Sequence, residues 1–199
     1  PAGRLIMPQT QTLREVLDSH AIALTVQTEE LPAALNALKT PPALVITDSP
    51  AIKAVAALTP ANIPLTTFSM LLAKNKGDFN RMLAGAQAID ELKDGDKVLI
   101  AEGCSHRMTC DDIGRVKIPN LIKKHTGKEL AFEFTAGHDF PADLSPYALV
   151  IHCGGCVLNR AEIRRRLEQC TSQNIKVTNY GMAISHSQKT LTRTAAPLL

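Results

Sequence analysis

The sequence predicts an α/β fold, built as two successive small three-layer domains with mainly parallel sheets. Short apolar runs rich in Val, Ile and Leu alternate with helical segments along the chain, which is typical of βαβ units. A polar turn at residues 93–96 interrupts this alternation, which then restarts. We therefore predict one domain at residues 1–93 and a second at residues 94–199. At 45% hydrophobic residues, the 199-residue chain can build cores of this kind.

In the first domain, apolar runs indicate strands, and capping residues or prolines mark helices. Thr12 and Glu15 form a capping-box pattern, and Ser49 followed by Pro50 is typical of a helix start. A long helical segment has a possible interruption at Gly77. A short apolar strand-like run covers residues 4–7, and predicted strands cover 21–26, 43–46 and 65–68. The predicted helices cover residues 12–19, 31–38, a segment from 49 and the long segment 71–92.

The second domain repeats the alternation. Gly127 predicts the end of a short helix, and Asn159 with Glu162 three positions later predicts the start of a longer one. The predicted strands cover residues 97–101, 130–135, 147–151 and 175–178. The predicted helices cover residues 119–125 and 159–171, and a mixed polar tail follows the last strand.

The composition argues against nucleic-acid and membrane partners. The chain has 22 basic and 19 acidic residues, a net charge of +3. Its densest basic run, Arg164-Arg165-Arg166, lies in a predicted helix beside Glu162 and Glu168, which indicates a solvated helix face. Aromatic residues make up only 4%, too few for a surface that stacks single-stranded nucleic acid. No apolar run approaches the roughly 20 residues of a membrane span.

The cysteine count favours a reducing compartment. Five cysteines are an odd number for a disulfide framework, so we expect a cytoplasmic protein in which clustered cysteines serve a metal or catalysis. The N-terminus shows no signal peptide. The opening Pro-Ala-Gly-Arg does not resemble a native start, and we therefore expect a fragment of a longer chain.

Two clusters of metal-ligand residues each follow a predicted strand. Cys-Ser-His at 104–106 follows the strand at 97–101, and His-Cys-Gly-Gly-Cys at 152–156 follows the strand at 147–151. If these strands are parallel, both clusters lie at one edge of the sheet, where α/β proteins place their sites. The two glycines of the second cluster allow a tight turn between Cys153 and Cys156. The candidate site residues are Cys104, His106, His152, Cys153 and Cys156.

The residues alone leave four interpretations open. A structural zinc ion could take three cysteines and one histidine. A [4Fe–4S] cluster could take three thiolates and a different fourth ligand. Cys153 and Cys156 could form a redox pair, although that leaves Cys104 and both histidines unexplained. In the fourth interpretation these are ordinary buried residues near a turn.

The remaining cysteines and histidines are weaker candidates. Cys170 follows Ile163 and Leu167 at helical spacing, which predicts a core position. Cys110 lies in a polar loop six residues after Cys104 and is a possible further thiolate. His125 is predicted to sit in the last turn of a basic helix, where it favours that C-terminus. His138 follows a strand end and is a candidate to support the ligand residues rather than to bind the metal. His186 lies in the polar tail.

Known nucleotide-binding and hydrolase motifs are absent. The sequence contains no GxxxxGK[ST] phosphate loop, no GxGxxG fingerprint and no GxSxG elbow. We therefore expect no enzymatic activity based on these motifs.

The pattern Cys-x-His at 104–106 and His-Cys-x-x-Cys at 152–156 resembles the cluster-binding signature of the HydF family of [FeFe]-hydrogenase maturation factors. Cys-x-x-Cys alone is common, but the combination is specific, and the resemblance spans nearly the whole chain. The segments that resemble the family are residues 3–18, 94–106, 111–120, 139–160 and 177–185.

The resemblance implies a non-enzymatic scaffold and carrier. HydF proteins have a GTPase domain, a dimerisation domain and a cluster domain, and this chain resembles the last two. The resemblance implies that Cys104, Cys153 and Cys156 hold a [4Fe–4S] cluster whose fourth iron position is exchangeable. His106 and His152 would then ligate weakly or donate hydrogen bonds. A cysteine at position 110 departs from the expected pattern. If Cys110 bound the cluster, it would occupy the exchangeable fourth iron position.

The resemblance also implies partners. The chain would form a homodimer to which residues 3–18 contribute. It would receive a di-iron precursor bearing CO and cyanide, made with two radical-SAM enzymes, and deliver it to apo-hydrogenase. The alternative hypothesis is a zinc-stabilised α/β interaction module without iron–sulfur chemistry.

Overall fold

The structure, a computed structural model, describes residues 5–104 and 112–199. These residues form two sheets, both parallel. The smaller sheet pairs β1 (Val45–Thr47) with β2 (Leu65–Thr67). The larger sheet contains β3 (Lys97–Ala101), β4 (Ala131–Thr135), β5 (Leu149–His152) and β6 (Lys176–Asn179). Its strand order is β4-β3-β5-β6. The predicted α/β class with parallel sheets is confirmed.

Helices connect these strands. The α-helices of the described ranges are α1 (Met7–Asp18), α2 (Leu31–Ala37), α3 (Ile52–Leu58), α4 (Phe68–Lys76), α5 (Phe79–Gln87), α6 (Ile118–Thr126), α7 (Arg160–Ser172), α8 (Tyr180–Ser187) and α9 (Leu191–Ala195). The predicted long helix is interrupted at Gly77, as expected, because the Asp78 side chain accepts a hydrogen bond from the Arg81 N–H and starts α5. Asn159 caps α7 as predicted, by accepting from the Glu162 N–H at 2.8 Å.

The four-stranded sheet is covered on both faces. Because successive strand residues point to opposite faces, Leu99 and Val150 pack towards α4, α5 and α7. Ile100 and Ile151 pack in the opposite direction, towards α3, α6 and α8. Strands buried on both faces explain why their sequences are continuous apolar runs.

The two halves of the chain share this core. Leu65 of the small sheet belongs to the same apolar cluster as Ile151 of the large sheet. The C-terminal helix α9 returns to the small sheet, where the Thr66 hydroxyl donates to the Thr194 carbonyl at 2.9 Å. Helix α5, which precedes the predicted boundary at residue 93, packs so closely on β6 that a Cβ on Gly85 would overlap the Val177 carbonyl.

Three local predictions differ from the structure. Residues 21–26 form no strand, since they pair with no other described strand and their side chains are exposed, Ile22 by 97%. Helix α1 begins at Met7 rather than at the capping box around residue 12, because the Gln9 side chain accepts from the Ile6 N–H at 3.0 Å. The polar tail contains α8 and α9, whose inner faces complete the core.

Among the described helices, each is too short or too polar to cross a lipid bilayer.

Candidate metal centre

Cys104, the described residue of the first predicted cluster, and the second cluster at 152–156 lie at one edge of the large sheet. Strands β3 and β5 are parallel neighbours, with Ala101 paired to His152, so their carboxyl ends lie side by side. The Cys153 N–H continues this pairing by donating to the Ala101 carbonyl at 2.9 Å. The Gly103 N–H donates to the Cys153 sulfur at 3.0 Å. The predicted convergence of the two strand ends is therefore confirmed.

The Cys153 sulfur is the best-positioned of the thiols. It accepts hydrogen bonds from the Gly103 N–H and, at 3.4 Å, from the Gly155 N–H. Burial raises the pKa of Cys153 to about 11, and the nearby Cys104 and Cys156 thiols contribute to the increase. All three cysteines are half-buried at this edge. Metal binding would displace the thiol protons, and N–H donors to sulfur are typical of iron–sulfur sites, so this donor set suits such a cluster.

Glycines shape the loop that presents these sulfurs. Gly155 has φ +63°, and a Cβ there would lie 2.5 Å from the Ile163 side chain. A Cβ on Gly103 would lie 2.9 Å from the Leu158 side chain. The predicted turn between Cys153 and Cys156 thus depends on Gly155 in the left-handed region.

Lys76 holds this loop from outside the sheet. At the end of α4, its ammonium donates to the carbonyls of Gly155 at 3.2 Å, Cys156 at 3.2 Å and Leu158 at 3.0 Å. An ammonium group has three donors, and all of them are used here. The ammonium also places a positive charge on the loop that carries Cys153 and Cys156, where it would favour thiolates. Sequence reasoning missed Lys76, because no local pattern links it to a loop nearly 80 residues away.

Both ring nitrogens of His152, the residue before Cys153, have hydrogen-bond partners. Its Nε2 is 3.1 Å from Nη1 of Arg166, a guanidinium that can only donate, so Nδ1 carries the proton and donates to the Cys153 carbonyl at 2.7 Å. Burial lowers the pKa of His152 to about 4, so the imidazole is neutral at pH 7. Both ring nitrogens are occupied by protein groups, which suits support of the cysteine loop rather than direct ligation.

Arg166 corrects the prediction of a solvated arginine run. Arg164 and Arg165 are exposed, but Arg166 is 1% exposed. Its guanidinium bonds His152, the Glu162 carboxylate at 2.7 Å and the Gly137 carbonyl at 2.6 Å. Hydrogen bonds from Arg165 and Arg166 lower the pKa of Glu162 to about 2, so the carboxylate is charged. The available signal was spacing, since residue 166 shares a helical face with buried residues 163 and 170.

Glu102 and Tyr180 are further polar side chains that are buried or partly buried beyond the end of β3. Glu102 is buried and lies 3.5 Å from the Arg115 guanidinium. Burial raises the pKa of Tyr180, and Cys153 and Glu102 add to that increase, so its hydroxyl keeps its proton. Within the described ranges this hydroxyl has no hydrogen-bond partner. A Cβ on Gly114 would collide with it, which explains a glycine at that position.

The other candidates lie apart from the cysteines or outside the described residues. Cys170 is fully buried in the core, which confirms its predicted role. His138 is exposed on the loop after β4. His106 and Cys110 lie outside the described residues. His125 and His186 lie together elsewhere in the molecule.

Two family models match the chain. The Hydrogen maturase F tetramerization domain matches residues 80–197, and the Hydrogen maturase F dimerization domain matches residues 1–77. The chain belongs to the HydF family. The two HydF models meet where α4 ends and α5 begins, about 15 residues before the predicted boundary. A search of curated proteins found no match.

Membership of HydF implies a role in hydrogenase maturation. Both matched HydF domains are association modules rather than catalytic domains, so self-association follows from membership. Lys76 belongs to the dimerization match, whereas the loop that it holds belongs to the tetramerization match. The two HydF modules are thus in contact at the cysteine edge.

Proposed function

We propose that this chain is a non-enzymatic scaffold that binds a [4Fe–4S] cluster through Cys104, Cys153 and Cys156 and carries the di-iron precursor of the [FeFe]-hydrogenase site. The observation that carries the proposal is the meeting of these three cysteines at the ends of β3 and β5, with two backbone N–H groups bonded to the Cys153 sulfur. When bound, the cluster supplies an iron that has no cysteine ligand and can exchange its fourth ligand.

The geometry favours the cluster over a structural zinc ion. A structural zinc site is closed by four protein ligands. His152, the described histidine beside the thiols, has both nitrogens engaged by Arg166 and the Cys153 carbonyl. Among the described residues, the three thiols have no available imidazole beside them, which suits a site that keeps one metal position open for exchange. A carrier needs such a position, because it must release its cargo.

The geometry also disfavours a thiol–disulfide oxidoreductase. A nucleophilic cysteine of this class has a lowered pKa, because the thiolate is the reactive form. Burial instead raises the pKa of Cys153 to about 11. Cys153 and Cys156 are both free thiols, which suits ligands in the reducing cytoplasm that we propose as the location.

The proposed partners are those that the resemblance to HydF implies. We infer that two radical-SAM enzymes supply the CO- and cyanide-bearing di-iron cargo and that apo-hydrogenase receives it. A GTPase domain would belong to the full-length protein. The cysteine edge is half-exposed, so a cargo at the open iron position would remain accessible to these proteins.

Anaerobic reconstitution tests the cluster. With iron and sulfide, the chain should take up about four irons and give an EPR signal on reduction. Purification with one stoichiometric, chelator-resistant zinc ion and no iron uptake would contradict the proposal and support the zinc-stabilised interaction module.

The exposed segment 17–26 offers a surface for self-association. Its apolar side chains, Leu17, Ile22 and Leu24, lie open to solvent. Residues 21–26 within it have a strand-like sequence, and an unpaired strand-like segment readily pairs with a second copy. We infer that this segment contacts its equivalent in a homodimer, beside the α1 residues that the resemblance assigns to the interface.

Lysine substitutions test this surface. The double change Ile22→Lys and Leu24→Lys should weaken dimerisation at least about 100-fold, since each buried Ile or Leu contributes about 1.5–3 kcal/mol. Light scattering over a concentration series would measure the change. Leu199→Lys, at another exposed apolar residue, is the matched control. An unchanged dimer in the double variant would exclude this surface.

A further inference from the structure

A second set of metal-ligand side chains lies away from the cysteines. Asp90 is in the turn after α5, shortly before β3 begins, and His125 is in the last turn of α6, shortly before β4. His186 is in the last turn of α8, which starts at the carboxyl end of β6 and runs away from it. The three residues therefore lie towards the amino ends of the strands, at the edge opposite the cysteines.

The three side chains converge on one point. The Nε2 atom of His125 is 2.7 Å from Oδ1 of Asp90, and the Nε2 atom of His186 is 3.0 Å from the same oxygen. The two imidazoles meet edge to face, with centroids 5.1 Å apart. All three ligand atoms lie within 4.8 Å of one another. The histidines are mostly buried, 18% and 14% exposed, whereas Asp90 is exposed and opens the cluster to solvent.

The chemistry of these donors suits a transition-metal ion. Two imidazole nitrogens and one carboxylate form a typical set for zinc and its first-row neighbours, with water at the remaining position. Ligand atoms around a tetrahedral zinc ion lie about 3.3 Å apart, given bonds of about 2.0–2.1 Å. The observed separations of 2.7 and 3.0 Å need to widen by only a few tenths of an ångström, which the exposed Asp90 side chain allows.

The backbone adds a second, independent reason for a cation here. Both histidines lie at the C-terminal ends of helices, α6 with nine residues and α8 with eight. The dipole of a helix gives its C-terminus partial negative charge, which favours a bound cation. Two such ends and a carboxylate surround the same point. The two helices pack against each other through the core, which holds the imidazoles on rigid elements.

We propose that Asp90, His125 and His186 bind one divalent transition-metal ion of the zinc class, independently of the cysteine site. The ion ties the ends of α6 and α8 to the segment that enters β3. It thereby stabilises the folded chain by an amount that grows with metal concentration. This inference does not rest on the proposed cluster function, since none of the cysteines takes part.

Cobalt binding tests the proposal, because thiolate ligation produces a sulfur-to-cobalt charge-transfer band and nitrogen–oxygen ligation does not. Titration of the full chain under anaerobic conditions should show one Co²⁺ bound without this band, both in the wild type and in Cys153→Ser. His125→Gln and His186→Gln should each lower this affinity at least about 100-fold. His20→Asn is the matched control, since His20 is exposed at φ 55° and Asn tolerates that conformation.

A stability measurement guards against misfolded variants. Zinc should raise the unfolding temperature of Cys153→Ser, in which the cysteine site is disrupted, but not that of the double variant Cys153→Ser with His186→Gln. Asp90→Asn, at an exposed position, provides a variant that should fold normally and still bind metal weakly. Unchanged cobalt affinity in both histidine variants would overturn the proposal, as would thiolate charge transfer for every bound cobalt ion. Failure of cluster reconstitution would not affect this proposal, because none of the cysteines takes part in the site.

Discussion

Cys153→Ser is expected to reduce iron uptake on anaerobic reconstitution at least about tenfold. The Cys153 sulfur is fixed between the N–H groups of Gly103 and Gly155, so it is the thiol best prepared to bind metal. A serine oxygen is a hard and weakly acidic donor, whereas iron–sulfur clusters are held mainly by soft thiolates. Cys156→Ser should have a similar effect, because it removes the second thiol of the same loop.

Cys170→Ala is the matched control for these variants. Cys170 is buried in the core with Ile163 and Leu167, away from the sheet edge, and burial raises the pKa of its thiol to about 12. Alanine removes the sulfur without burying an unpaired hydroxyl. Iron content and the EPR signal should match the wild type. Equal iron loss in Cys153→Ser and Cys170→Ala would mean that the loss reflects misfolding rather than ligation.

Lys76→Met is expected to make the cluster labile although Lys76 touches none of the sulfurs. The methionine keeps an unbranched apolar side chain but removes the ammonium that donates to the carbonyls of Gly155, Cys156 and Leu158. Loss of these charge-assisted bonds should cost about 1–3 kcal/mol of folding stability. The iron-release rate to a chelator should increase about tenfold, since about 1.4 kcal/mol corresponds to a factor of ten.

Lys74→Met is the matched control on the same helix. Lys74 is exposed and lies over the Phe79 ring, with no contact to the cysteine loop among its described interactions. Its replacement removes one positive charge from α4 but should leave the iron-release rate unchanged. If the two variants release iron equally fast, the effect of Lys76 is one of net charge and not of loop positioning.

The contact of Lys76 with the cysteine loop joins the two association modules. Residues 1–77 match the dimerization model, and Lys76 lies at the end of that match. Ser69 and Leu72, on the same helix, lie 3.7 and 3.4 Å from the Cβ position of Gly154. A shift of α4 on assembly would therefore act directly on the loop that holds Cys153 and Cys156.

Elements with strong local signals were predicted well. The strand at 97–101 matches β3, and the capping residue Asn159 marks the start of α7. These signals work because burial on both faces of a parallel sheet demands continuous apolar residues, and helix caps satisfy the backbone locally. The segment 21–26 shows the limit, since its apolar pattern indicates a strand but residues 5–104 and 112–199 contain no strand that pairs with it.

The sequence by itself determined the α/β class, the parallel order that brings Cys104 beside Cys153, and the core position of Cys170. Those features depend on periodicity and on which residues follow a strand. Only the tertiary structure decided that Lys76 holds the cysteine loop, that Arg166 is buried against His152, and that Asp90 meets two histidines. These contacts join side chains far apart in sequence, and their partners are set by how helices pack on the sheet, which no local pattern encodes.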